Sequence, residues 1–155
     1  MYMRKLWMSL LVLPLIGSAV ASDIATFSKV GRFEDVRDDV VNAIEAQGIK
    51  INHSNHIAEM LARTGKDLGA ARQVYVQGEQ VEFCKSNLSR AQMEADPVNM
   101  VFCPYIISIY TTLDKPGVVS VAYRVPAAPK SSAATRKALR DVDALLKGIV
   151  QQALQ

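Results

Sequence analysis

Two cysteines and two histidines in 155 residues leave little material for metal or thiol chemistry. The cysteines, Cys84 and Cys103, form no Cys-x-x-Cys pair, so the close-spaced ligands of a structural zinc site are missing. Gly-x-Ser-x-Gly, Gly-x-Gly-x-x-Gly and a glycine run ending in Gly-Lys-Ser/Thr are absent as well, which removes the local signatures of α/β-hydrolases, dinucleotide-binding folds and phosphate loops. The 8 glycines and 6 prolines follow no period, excluding collagen-like and repeat architectures. Charge of one sign is also scarce: the formal excess is +3, and it falls to +1 once Arg4 and Lys5 of the leader are set aside, because residues 1–21 hold no acid. Phosphate backbones demand a dense positive footprint, so nucleic acid is excluded as a partner.

What is present suffices for a globular fold. Half the residues are apolar, and the length fits one domain rather than two. Arg4 and Lys5 precede an apolar run from Leu6 to Val20 broken by few polar residues, and the run closes on Ala19-Val20-Ala21. This is the pattern of a secretory signal peptide over residues 1–21, cleaved before Ser22. The run is shorter than the ~20 residues a bilayer-spanning helix needs, and no later segment could span one. The expected mature chain is a single α+β domain over residues 22–155, periplasmic or secreted.

Patterning predicts the elements. Ile24 to Val30 reads as a strand, followed by a helix with Val36, Val40, Val41 and Ile44 on one face and ended by Gly48. Its acidic run, Glu34, Asp35, Asp38 and Asp39, suits the positive end of the helix dipole better than a cation site. Ile49 to His53 alternates as a strand with Ile49, Ile51 and His53 on one face. Asn55 can cap a short helix with Ile57, Met60 and Leu61 inward, stopping at Gly65. A strand is clearest at Gln80 to Cys84. A helix then runs from Ser86 or Asn87 to Asp96-Pro97. Met100 to Thr112 predicts a long strand with Val101, Cys103, Tyr105, Ile107 and Ile109 aligned, Asp114 to Gly117 a turn, and Val118 to Val125 the return strand. Beyond the Pro126–Ser132 linker, Leu139, Val142, Leu146, Ile149 and Ala153 mark a final amphipathic helix. This order fits a two-layer sandwich, a mainly antiparallel sheet with helices on one face.

The candidate binding residues are Cys84, Cys103, Tyr105 and His53. In an oxidising compartment Cys84 and Cys103 can form a structural disulfide, closing a loop worth roughly 3 kcal/mol on the chain-entropy model. The same thiols could act as redox groups or metal ligands, or lie inert in the core. Strand parity opposes the bridge, although Cys84 ends its strand and Pro104 can break the alternation. His53 and His56 could complete a two-sulfur, two-nitrogen metal site in principle. His53, on a face with Ile49 and Ile51, reads better as a hydrogen-bonded core histidine. Asn52-His53-Ser54 and Asn87-Leu88-Ser89 match the glycosylation sequon and read as chance matches.

Glu82-Phe83-Cys84, Leu88-Ser89, Met93-Glu94-Ala95-Asp96-Pro97, Phe102-Cys103-Pro104-Tyr105 and Ile109-Tyr110 together resemble the family called domain of unknown function 302, over roughly Phe33 to Val125. The cysteine at both positions resembles a subgroup with paired cysteines. The resemblance implies a compact α+β domain, often a homodimer, and no established reaction. No cofactor is indicated, and no ligand is identified. The reading that follows is an exported, non-catalytic module that binds a ligand, metal or partner near Cys84 and Cys103. The alternative is a thiol-dependent redox protein or enzyme using that pair. Intact-mass measurement on protein from the exporting host should give a chain beginning at Ser22; retention of residues 1–21 would mean an anchor.

Overall fold

The computed structural model describes residues 23–69 and 72–155; the leader 1–21 and its cleavage point before Ser22 lie outside them. Five strands form one fully antiparallel sheet in the order β1-β5-β4-β3-β2: β1 Ile24–Val30, β2 Ile51–Asn55, β3 Tyr75–Phe83, β4 Tyr105–Thr112 and β5 Lys115–Arg124. Four α-helices complete it: α1 Phe33–Ala46, α2 Ile57–Asp67, α3 Ser86–Ala95 and α4 Ala133–Ala153. Alternate strand residues point to opposite faces, and one set here is almost wholly apolar. Val81 and Phe83 of β3, Tyr105, Ile107 and Ile109 of β4, and Val119, Val121 and Tyr123 of β5 are all buried.

Those residues meet the apolar stripes of two helices. From α1 come Phe33, Val36, Val40 and Ile44; from α4 come Val142, Leu146, Ile149 and Ala153. Burying each side chain of this size contributes roughly 1.5–3 kcal/mol, so the interface between sheet and helices is the main source of stability. α1 ends as predicted, since Gly48 takes φ +69°, which a Cβ would disfavour. Its acidic residues lie in an ion-paired, exposed surface: Asp39 with Lys29 at 3.4 Å, and Glu34 and Asp35 with Arg32 at 3.9 and 3.8 Å. α4 starts where Ser132 Oγ accepts the Thr135 amide at 3.1 Å.

The α+β sandwich expectation holds for α1, α3 and α4, which pack together over one layer. α2 lies on the other face: its Ala58 Cβ sits 3.6 Å from where a Cβ on Gly78 would stand. It runs past Gly65, and none of its residues is buried, so Met60 and Leu61 are partly exposed rather than inward. Asn55 does not cap it; the Asn55 amide donates to Glu82 at 2.5 Å instead, and His56 stands at the cap position.

Three other boundaries differ from the sequence reading. β2 begins at Ile51 rather than Ile49, with a register shift between Ile51 and His53, so His53 leaves the face of Ile51 and is exposed. The long strand expected from Met100 starts only at Tyr105, because Pro97–Phe102 forms a 3-10 turn. Asp96 explains this: its carboxylate accepts the Val98 amide at 3.0 Å, so the Asp-Pro pair that ends α3 also caps the next turn. The β4–β5 turn is tighter than expected, since Thr112 pairs with Lys115 and leaves Leu113 and Asp114 at the tip. Pro116 is tolerated in β5 because β1 pairs only as far as Val118, leaving the proline outside that ladder.

Tyr123 gives the fold an alkaline limit. Its hydroxyl donates to Asp143 at 3.0 Å, and burial, then the Asp143 hydrogen bond and charge, push the phenol well above its ordinary value of 10.0. The folded state therefore favours the neutral phenol. This contribution is complete below pH 10, the unfolded value, and is lost as pH rises from there toward the folded value. Urea midpoints should fall above pH 10 in the native protein. Tyr123→Phe should flatten that fall while costing about 1 kcal/mol at neutral pH for the lost hydrogen bond; an unchanged alkaline slope would place the effect elsewhere.

Candidate binding site

The strand residues that do not enter the core form a second, polar face. Register places Asn55, Gln80, Ser108, Ala122 and Thr26 in one row across all five strands. His53, Glu82, Ile106, Arg124 and Ile24 make the next row, with Ile106 and Arg124 one step beyond the Ile107–Tyr123 pair. Gln80 Nε2 donates to Ser108 Oγ at 3.2 Å, so the floor is ordered by its own hydrogen bonds. α2 walls one side through Ile57, beside Tyr75 and Tyr110, whose rings meet edge to face at 5.6 Å. Val101, Phe102 and Pro104 wall one end. Together they bound an open trough of about 790 Å³, within the ~300–1,000 Å³ range of small-molecule sites.

The end wall is tied down by the cysteines. Cys84 follows the last residue of β3, Cys103 follows the 3-10 turn, and the two are joined by a disulfide with Cα atoms 6.6 Å apart. The parity objection disappears because neither cysteine lies inside a strand. Ser89 Oγ on α3 lies 3.6 Å from Cys103 Sγ and 3.3 Å from the Tyr105 hydroxyl. Tyr105 points into the core, its ring edge-on to Phe83 at 6.0 Å; burial raises its phenol above the ordinary value, and the Ser89 hydrogen bond opposes that in part. Asn99, in the 3-10 turn, is buried and donates to the Gln92 carbonyl at 2.8 Å and to Thr135 Oγ1 at 3.3 Å. The rim is thus held to α3 and α4 as well as to β3.

Of the four residues singled out from sequence, Cys84, Cys103 and Tyr105 come together around Ser89, and His53 stands apart on the polar face opposite Glu82. The reading of His53 as a core histidine is overturned by its exposure. His56 faces Glu79 at 3.5 Å, a carboxylate also reached by Arg37 at 3.6 Å. Among the described residues no three His, Cys, Asp or Glu side chains are grouped so as to hold a metal ion. Sequence reasoning missed Thr26, Gln80, Ser108 and Arg124. Their signal was the polar half of the strand alternation, legible only as surface until the sheet is seen to leave that half uncovered.

The family described as Domain of unknown function DUF302 matches residues 25–153. The chain belongs to the DUF302 family. A solved structure, the uncharacterized conserved protein DUF302 from Bacillus stearothermophilus, superposes with a TM-score of 0.72 at 12% identity, covering 86% of this chain and 99% of that one. At that identity the likeness concerns the fold. No curated protein sequence matches the chain. Among the described residues no helix of this DUF302 chain is long and apolar enough to cross a membrane.

The disulfide closes a loop between residues 19 apart in sequence. Thiol titration of denatured, non-reduced protein should find no free thiol, and two after reductant. Replacing both cysteines by serine should lower stability by roughly 3 kcal/mol. Two freely titrating thiols without reductant would contradict the bridge.

Proposed function

We propose that this chain is an exported, non-catalytic binding module whose ligand occupies the trough on the polar sheet face. The carrying observation is that the sheet leaves this face open, with a hydrogen-bonded polar floor and apolar walls. A few placed polar groups among apolar ones are what fix a ligand's orientation in such a site. The disulfide supports both halves of the reading. It suits the oxidising compartment to which a signal peptide over residues 1–21 would deliver the protein, and it anchors the rim that a binding site needs to be rigid. The module pairs as a homodimer, as its family resemblance implies; α2, whose Met60 and Leu61 face solvent, supports such pairing.

A second reading is favoured by the Ser89 hydroxyl beside Cys103 and Tyr105. There the pair would be a redox group, oxidised as a disulfide and reduced by an external dithiol, which itself becomes a disulfide. The two readings separate in one experiment on the exported protein. Amide shifts by NMR should respond to small-molecule fragments at Thr26, Gln80, Ser108 and Ala122, and Ser108→Trp should abolish them while changing stability by under about 1 kcal/mol. Fragment responses confined to Cys84, Ser89 and Cys103, with reduction of the pair by a mild dithiol and an intact fold, would favour the redox reading instead.

A further inference from the structure

Two charged side chains, Arg124 and Glu79, are among the residues lining the trough. Its walls and floor bring one side-chain cation to the polar face, Arg124 at the end of β5. Among the described residues Arg124 has neither an ion pair nor a side-chain hydrogen bond. Glu82, two strands away in the same row, is already engaged by Asn55 at 2.5 Å, and Glu79 is met by Arg37 of α1 at 3.6 Å and by His56 at 3.5 Å. No carboxylate of the described residues therefore answers Arg124.

Its surroundings are apolar. Ile24 pairs with Arg124 across β1 and β5 and is 57% exposed; Ile106 flanks it from β4 and is 37% exposed; Val101 of the end wall is 76% exposed. Exposed aliphatic groups of this size grouped beside one cation give the end of the trough an apolar wall. A guanidinium is built to hold a planar carboxylate through two parallel hydrogen bonds.

We infer that the trough takes a small amphipathic organic acid, its carboxylate on Arg124 and its apolar body along Ile24, Ile106 and Val101. This rests on the trough reading above and specifies its ligand class. The hydroxyl and amide groups of Thr26, Ser108 and Gln80 lie farther along the floor and suit a polar substituent at the ligand's other end.

The test compares three probes with one tail and different heads, octanoate, 1-octanol and octylammonium, titrated into the exported protein with amide shifts as readout. Octanoate should bind at least about tenfold more tightly than 1-octanol, and octylammonium more weakly than either, with shifts at Thr26, Ser108 and Ala122. Arg124→Ala should bring octanoate to the level of 1-octanol, and Arg124→Lys, which keeps the charge without the fork, should retain part of the difference. Equal binding of octanoate and 1-octanol, indifferent to Arg124→Ala, would overturn the carboxylate assignment and leave the trough as a binding site. No shift at these positions with any probe would overturn both.

Discussion

Everything in this molecule follows from a sheet that buries one face and not the other. The core strands β3, β4 and β5 turn alternate residues toward α1 and α4, and most of those positions hold Val, Ile, Phe and Tyr with almost no exposure, Glu79 being met there by Arg37 of α1. A strand slipped by one residue would send this whole set to solvent, so the register is fixed by burial alone. The same parity that secures the core dictates what stands on the reverse side. Thr26, Gln80, Ser108 and Arg124 occupy it because they are the alternate residues of strands whose other half is fully used. Among the described residues α2 reaches that side near Gly78, and a trough stays open beside it.

The second constraint is the connection between β3 and β4. Neighbouring antiparallel strands can be joined by two residues, as β4 and β5 are, but here α3 and a 3-10 turn intervene. The excursion places Val101 and Phe102 at the end of the trough, and such an insertion would be free to move were it not tied at both ends. The disulfide ties it to the end of β3, and Asn99 ties it to α3 and α4 through buried hydrogen bonds. A polar residue so deeply placed is stabilising only because its partners are there. The chain thus invests its covalent crosslink in the rim of the open face and leaves the core to packing.

Much of this was readable in the residues. The helical stripes of α1 and α4, the stop at Gly48 and the alternation through Tyr105, Ile107 and Ile109 all emerge from periodicity and turn chemistry, whereas strand parity argued against the Cys84–Cys103 bridge that the fold forms. The errors have local causes. Val101 and Cys103 continue the β4 alternation by accident, and Asp96 capping overrides it. The irregularity between Ile51 and His53 turns the histidine away from the face its spacing predicts. The trough itself was hidden for a different reason: polar strand positions look alike whether a sheet face is bathed in water, covered by another chain or shaped for a ligand, and only the sheet order and the wall residues distinguish these.

The central claim is that the polar face exists for recognition and not for stability. Urea unfolding of the variant carrying Thr26→Ala, Gln80→Ala and Ser108→Ala together tests it most directly. Substitutions away from buried or strained features stay within about 0.5 kcal/mol each, so the triple variant should unfold within about 1.5 kcal/mol of the native protein. A loss of several kcal/mol, comparable to the ~2–5 kcal/mol expected for Ile107→Ala in the core, would show that the face is part of the structural foundation and would contradict the account.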